Sequence, residues 1–148
     1  METETDRLII RPFKVSDLPD LQRYAVRPDF YRYLPIPVQT PETVAAFLAA
    51  RLAAQEEGTS DHACVLETKE TGTVIGSVRL GINDETHRSG DLGYALDSDF
   101  QGQGYMTEAV RAVIRTGFDE FALHRIWATA DVRNEPSWHV LERCGLTR

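Results

Sequence analysis

In the run Gln101, Gly102, Gln103, Gly104, Tyr105, Met106, Thr107, two glycines separate a strand pattern from the first turn of a long amphipathic helix. Upstream, Asp91 to Asp97 reads as a strand. Downstream, Met106, Ala109, Val110, Val113, Ile114, Phe118 and Phe121 recur at three- and four-residue steps, the spacing of a helix that packs one face on a sheet. Backbone N–H groups at a helix start have no intrahelical acceptor and carry the positive end of the helix dipole. Glycine lets an anion approach them without a Cβ in the way. A pyrophosphate suits that geometry. The dinucleotide fingerprint needs a third glycine where Thr107 stands, and a nucleotide-hydrolase phosphate loop needs Lys followed by Ser or Thr, so both of those readings fail. The plainer alternative is that Gly102 and Gly104 only shape a tight strand-to-helix turn.

Outward from that run the pattern is equally regular. Leu8 and Ile10 alternate with Arg7, Ile9 and Arg11 ahead of Pro12, a first strand and a candidate sheet edge. Ser16 and Asp17 read as a cap before Leu18, Leu21, Tyr24 and Ala25 at helical spacing. Thr40, Pro41 and Glu42 open a second helix with a stripe of Val44, Phe47, Leu48 and Leu52 and a stop at Gly58. Ala63 to Glu67 and Thr73 to Ile82 are aliphatic and β-branched, joined through Glu70, Thr71 and Gly72 as an antiparallel hairpin. Arg125 to Asp131 reads as a further strand. Pro136 and Gly145 bracket a last short helix carrying Val140, Leu141 and Cys144. This order predicts an α+β fold, a mixed and mostly antiparallel sheet flanked by helices.

Bulk properties narrow the function. The chain has 148 residues, 42% hydrophobic and 26% charged, which suits one domain over 1–148 and excludes a disordered, collagen-like or coiled-coil chain. With 16 basic and 23 acidic residues the net charge is −7, the wrong sign for gripping a nucleic-acid backbone. The acidic, polar N-terminus is not a signal peptide, and the apolar region Val44 to Ala54 is too short to cross a bilayer. A cytoplasmic protein without nucleic-acid or membrane partners is the expectation. Cys64 and Cys144 match no metal or redox spacing and read as small buried apolar residues, and the four histidines imply no metal.

Three ordered motifs then speak together. Gln101 and Gly104 resemble the acetyl-coenzyme A signature Gln/Arg-x-x-Gly-x-Gly/Ala of the GCN5-related N-acetyltransferase (GNAT) superfamily, with Met106 departing at the last position. Gly93, Tyr94 through Gly104, Tyr105, Met106, Thr107, Glu108, Ala109 is similar to the ribosomal-protein-alanine N-acetyltransferase (RimJ/RimL-like) branch. So is Thr5, Asp6, Arg7, Leu8, Ile9, Ile10, Arg11, Pro12, and so is Asn134, Ser137, Leu141, Cys144, Gly145. The resemblance implies an acyl-CoA N-acyltransferase fold with acetyl-CoA as the acyl donor. It implies that Gln101, Gly102, Gln103, Gly104, Tyr105, Met106 and Thr107 bind the coenzyme, with backbone amides from Gln103 through Thr107 holding the pyrophosphate. Tyr94, Ala95 and Leu96 would pair with the pantetheine arm at a gap between splayed strands, with Asn134 beside that arm and Ser137 near the sulfur. Asn134 as a helix cap and Ser137 as a first-turn residue are the ordinary alternatives. Relatives continue past Gly145 with a closing β-hairpin, so a C-terminally truncated domain is a further expectation. An open Arg125 to Asp131 edge would then invite pairing with another chain, as in a homodimer.

Acetyl transfer to an amine needs a neutral amine and a supported leaving thiolate. Deprotonating a lysine-like amine at pH 7 costs roughly 4.6 kcal/mol, an α-amine only about 1.4, and the thiolate lies about 2 kcal/mol uphill. Asp91 is the candidate base or water-mediated relay, with Asp84 and Glu85 alternatives that line the acceptor entrance and His87 close by; Ser137 is the candidate donor to sulfur. Tyr31 and Tyr33, in the helix-pair connection with Phe30 and Leu34, would form an acceptor wall, the ordinary alternative being core or helix-packing surface. The expected activity is acetylation of a protein N-terminal α-amine. The alternatives are a small-molecule amine such as a polyamine or aminoglycoside, or a module that binds acyl-CoA without turnover.

Overall fold

The structure, a computed structural model, describes residues 1–84 and 86–148. In the described residues six strands form one sheet in the order β1-β2-β3-β4-β5-β6: Thr3–Glu4, Leu8–Arg11, Asp61–Thr68, Val74–Asp84, Ser89–Leu96 and Arg125–Ala128. Four α-helices complete the fold: α1 Leu18–Tyr24, α2 Pro41–Glu57, α3 Tyr105–Asp119 and α4 Glu135–Arg143. All neighbouring strands are antiparallel except β5 and β6, which run parallel. The mixed, mostly antiparallel α+β expectation therefore holds, and its one parallel pair comes from α3 carrying the chain back across the sheet.

One correction concerns the first strand. Leu8–Arg11 is not an edge, because Thr3 and Glu4 pair with Ile10 and Ile9 to form β1 outside it. Two polar residues give no alternation to read, so β1 exists only by virtue of its partner. A second correction concerns the cap before α1. A 3-10 turn, Val15–Asp17, comes first, and the Asp17 carboxylate turns away from α1 to accept from Arg11 at 2.8 and 3.0 Å and from the Lys14 N–H at 2.7 Å. Arg11 also donates to Glu67 at 2.9 Å, so this buried guanidinium ties β2, β3 and the entry to α1 together. Thr40 does cap α2, accepting from the Thr43 N–H at 3.2 Å, and Gly58 ends it with φ of 85°.

Strand alternation divides the core between the two faces of the sheet. Leu8, Ile10, Cys64, Leu66, Val78, Leu80 and Leu92 pack against Met106, Ala109, Val110 and Val113 of α3 and Leu141 of α4. On the opposite face, Val65 and Val74 pack with Phe13, Leu21, Tyr24, Val44 and Leu48 under α1 and α2. Ile75 and Leu80 are fully buried, and truncating either to alanine costs about 2–5 kcal/mol. Cys64 is buried, which pushes its thiol up to about 11, and the half-buried Cys144 is raised for the same reason; both stay protonated and unreactive. Among the described residues no helix is long and apolar enough to cross a membrane.

The feature that positions the site is where pairing stops. β4 stays in register with β5 up to Leu96, opposite Gly76, but β6 pairs with β5 only from Ser89 to Leu92. From Gly93 to Leu96 the outer edge of β5 has no strand beside it among the described residues. A gap opens there, at the segment leading into the glycine loop.

Candidate active site

The loop between β5 and α3 is built for backbone recognition. Gly102 and Gly104 have φ of 77° and 81°, the left-handed region that strains any residue with a Cβ, and Gly104 is the N-terminal cap residue of α3. No side chain caps the helix. Among the described residues, the N–H groups from Gly102 through Thr107 find no acceptor within the protein, and the space where a Cβ on Gly102 would sit is open. These are the donors a diphosphate requires. Met106 points into the core, so its departure from a small residue leaves the loop backbone unobstructed. The neighbouring groove, about 880 Å³, is lined by Arg111, Arg115, Arg143 and Lys69 as well as by Glu4, Asp6 and Glu108, so its charges nearly balance where the whole chain is acidic.

The loop is anchored at both ends. Before it, the buried Asp97 carboxylate accepts from the Asp99 N–H at 3.0 Å and pairs with Arg23 at 3.0 Å and Arg27 at 3.6 Å. Arg27 also reaches Asp99 at 2.9 Å, and Ser98 donates to Asp29 at 2.7 Å. These bonds join the loop to the connection between α1 and α2. After it, Glu108 in the first turn of α3 accepts from the Thr5 hydroxyl and from the Arg7 Nε at 2.9 Å. Partial burial opposes ionisation of Glu108, but Thr5 and Arg7 outweigh it and hold the carboxyl below its ordinary range. Arg7 and Glu108 stand inside two of the sequence motifs, yet nothing in the sequence pairs them.

At the gap, the Tyr94 hydroxyl lies 2.9 Å from Ser137 Oγ and donates to the Ser137 carbonyl at 2.8 Å. Burial pushes the Tyr94 phenol up, against the bond to Ser137, so it stays a neutral hydroxyl. The sequence resemblance places Tyr94 on the strand edge that pairs with the pantetheine arm; its contact with α4 carries no sequence signal. Asn134 caps α4, its Oδ1 accepting from the Ser137 N–H at 3.3 Å, so the ordinary reading of Asn134 is realised and its amide nitrogen is left to donate. Ala95 and Leu96 complete the unpaired edge.

Asp91 lies on the other face of β5, the face that carries α1 and α2. Its oxygens accept from Arg79 at 2.8 and 3.3 Å and from Asn83 at 3.2 Å. Arg79 in turn holds Asp61 at 2.7 Å, which Arg51 of α2 meets at 3.0 Å. Bonding to Asp91, more than its partial burial, sets the Arg79 guanidinium, which is raised further from deprotonation. Burial works against Asp61 as an anion, and Arg79 with Arg51 overcome it and lower its pKa. Gly81 and Gly93 flank this cluster: a Cβ on Gly81 would collide with Arg79 Nη2. Asp91 is three residues from Tyr94, about 10 Å along the strand.

The other expected acceptor residues divide. Tyr31 is buried, its hydroxyl donating to the Ala25 carbonyl at 2.6 Å and its ring against Phe30, so it supports the wall from behind. Tyr33 is half-buried, with the Arg133 guanidinium 5.9 Å from its ring, which brings the α1–α2 connection over the loop entering α4. Arg133 is held there by Asp131, whose carboxyl it pushes down to about 2. Asp84 is half-buried and accepts from the His87 N–H at 2.9 Å and its ring at 2.7 Å, contacts that lower its pKa. Glu85 lies outside the described residues.

A bare helix start after β5, a neighbouring strand that peels away and a hydroxyl pair beside the gap are the arrangement that the sequence resemblance implies for an acyl-CoA-dependent transferase. Comparison with known proteins agrees. The model of the acetyltransferase (GNAT) domain family matches residues 7–147. The chain is 28% identical over 148 residues to the uncharacterized N-acetyltransferase YnaD of Bacillus subtilis (strain 168), covering 100% of this chain and 84% of that protein. Among solved structures, a GNAT-family acetyltransferase from Bacillus anthracis superposes with a TM-score of 0.89 at 26% identity. The ribosomal-protein-S5-alanine acetyltransferase from Vibrio fischeri superposes with a TM-score of 0.83 at 28% identity; each match covers 100% of this chain and 84% of the other. The chain belongs to the GNAT acetyltransferase family and is an acetyl-CoA-dependent N-acetyltransferase with RimJ/RimL-like structural neighbours.

Proposed function

We propose that the acceptor is the α-amine of a protein N-terminus and that it attacks the acetyl thioester directly. The observation that carries direct attack is the unpaired Gly93–Leu96 edge with the Tyr94 and Ser137 hydroxyls beside it. Backbone N–H groups from Gly102 to Thr107 hold the pyrophosphate, and the β5 edge from Tyr94 to Leu96 pairs with the pantetheine arm, beside which Asn134 donates. The bound coenzyme supplies an activated acetyl group. Ser137, held by Tyr94 through its carbonyl, turns its one hydroxyl hydrogen from the Tyr94 oxygen to the departing sulfur and offsets the roughly 2 kcal/mol by which thiolate lies above thiol at pH 7. Asp91 receives the amine's proton through water, since the strand separation is too long for direct transfer.

Three considerations favour an α-amine. It costs only about 1.4 kcal/mol to deprotonate at pH 7, so a carboxylate already engaged by Arg79 is sufficient. A polyamine would call for unmatched acids, whereas Asp61 and Asp91 on the acceptor face are each matched by guanidinium groups. Similarity to the ribosomal-protein-S5-alanine acetyltransferase points the same way. Tyr33 and Arg133 form the rim over which a peptide terminus enters.

A thiol-release assay with acetyl-CoA tests this, using peptides with N-terminal alanine or serine, their N-formylated forms, spermine and an aminoglycoside. The free peptides are expected to give the highest kcat/KM, with formylation abolishing turnover. Turnover confined to spermine or the aminoglycoside overturns the acceptor assignment, and tight acetyl-CoA binding without thiol release on any amine overturns catalysis.

A further inference from the structure

We infer that Arg7 is a positioning residue for coenzyme binding, fixing the peptide between Gln103 and Gly104 so that its N–H faces the anion. This rests on the reading of the glycine loop as the pyrophosphate site. A trans peptide points its C=O and N–H in opposite directions, so whatever holds the carbonyl aims the amide. Arg7 Nη1 donates to the Gln103 carbonyl at 3.0 Å. That bond draws the carbonyl towards β1 and β2 and leaves the Gly104 N–H directed away from Arg7.

The orientation needs such a holder because the loop is flanked by glycines. With Gly102 and Gly104 both at positive φ, the intervening peptide can rotate at little steric cost, and a rotated peptide would present a carbonyl oxygen to the phosphate instead of a donor. Arg7 is itself fixed on three sides. Its Nε donates to Glu108 at 2.9 Å, its backbone N–H donates to the same carboxylate at 3.0 Å, and its guanidinium stacks 4.1 Å from the centre of the Tyr105 ring. Its Nη2 lies 3.4 Å from where a Cβ on Gly104 would sit, so the guanidinium also fills the open side of that glycine. Lysine cannot reproduce this: a point charge can reach Glu108 or the Gln103 carbonyl, but it lacks the planar fork that serves both. Glu108, in the first turn of α3, thereby couples the helix start to the turn ahead of β2.

The test compares the wild-type chain with Arg7→Ala, Arg7→Lys and Glu108→Gln by calorimetric titration with acetyl-CoA and by steady-state kinetics on the best peptide. Arg7→Ala is expected to raise Kd and KM for acetyl-CoA about ten- to a hundredfold, the worth of one hydrogen bond to a charged group. Its kcat and acceptor KM should stay within about threefold, a split that general loss of structure would not produce. Arg7→Lys should recover less than half of the lost affinity, and added guanidinium should partly restore Arg7→Ala. A folded Arg7→Ala chain that binds acetyl-CoA within twofold of wild type overturns the inference. Should that variant not fold, Arg7→Lys decides, and unchanged affinity there also overturns it. A wild-type chain that does not bind acetyl-CoA overturns the loop reading itself, a result distinct from either.

Discussion

The two ends of the site are made by opposite means. At the coenzyme end the loop contributes backbone donors, and the charges that hold it come from elsewhere: Arg7 and Glu108 on one side, Arg23 and Arg27 with Asp97 on the other. At the proposed acceptor end the side chains are already paired with each other, Asp61 and Asp91 around Arg79. One end depends on backbone conformation and tolerates changes of loop side chains. The other depends on charge balance and tolerates little that leaves a charge unmatched.

The sharpest way to break that contrast is at Gly104. Gly104→Val forces a β-branched residue into a left-handed conformation and against Arg7, and should weaken acetyl-CoA binding more than about 100-fold while the chain stays folded. Gln101→Ala, which changes only a side chain of the same loop, should alter it less than about threefold. Calorimetric titration of the two variants reads both outcomes, and equal losses would put side chains rather than backbone in charge of the loop.

A smaller effect is expected at the gap. Ser137→Ala should lower kcat about 100-fold with acetyl-CoA KM unchanged, and Tyr94→Phe about tenfold, since Tyr94 acts through Ser137. Stopped-flow thiol release measures each. A Tyr94→Phe loss larger than that of Ser137→Ala would make the phenol, not the serine, the group at sulfur.

At the acceptor end, Asp91→Asn should reduce kcat about tenfold at pH 7, and the deficit should close as pH rises past about 8, where an α-amine no longer needs a base. A deficit constant with pH would give Asp91 a role in holding Arg79 alone.

Smallest is the acid limit of the coenzyme end. The Glu108 carboxyl is held below its ordinary range by Thr5 and Arg7. A group lowered on folding stabilises the native state above its unfolded pKa, near 4.5, and that contribution disappears as pH falls through the lower folded value. Melting temperatures of wild type and Glu108→Gln should therefore differ at pH 7 and converge in acid below about pH 4. A difference that persists there would contradict the pairing.

How legible these features were follows from how local they are. The glycine loop, the start of α2 at Thr40 and the ends of α2 and α4 at Gly58 and Gly145 rest on residues next to one another, and the sequence pattern reaches them. Thr3–Glu4 is a strand only because Ile9 and Ile10 lie beside it. Arg7 and Glu108 are 101 residues apart, and only the strand order brings them together. Asp91 stood out as a carboxylate before Gly93 and Tyr94, but its capture by Arg79 depends on the register that sets Arg79 opposite Gly93 and Asp91 opposite Gly81. The aromatic cluster of the α1–α2 connection could be read as wall or core, and packing divides it: Tyr31 inward, Tyr33 towards Arg133.

The loop amides themselves can be watched. In a titration of the ¹⁵N-labelled chain with acetyl-CoA, the backbone N–H resonances of Gly102 to Thr107 should show the largest shifts in the spectrum, with that of Gly104 moving downfield as it gains a phosphate acceptor. Unmoved loop resonances at saturation, with the shifts confined to β6 and α4, would contradict backbone recognition at the start of α3.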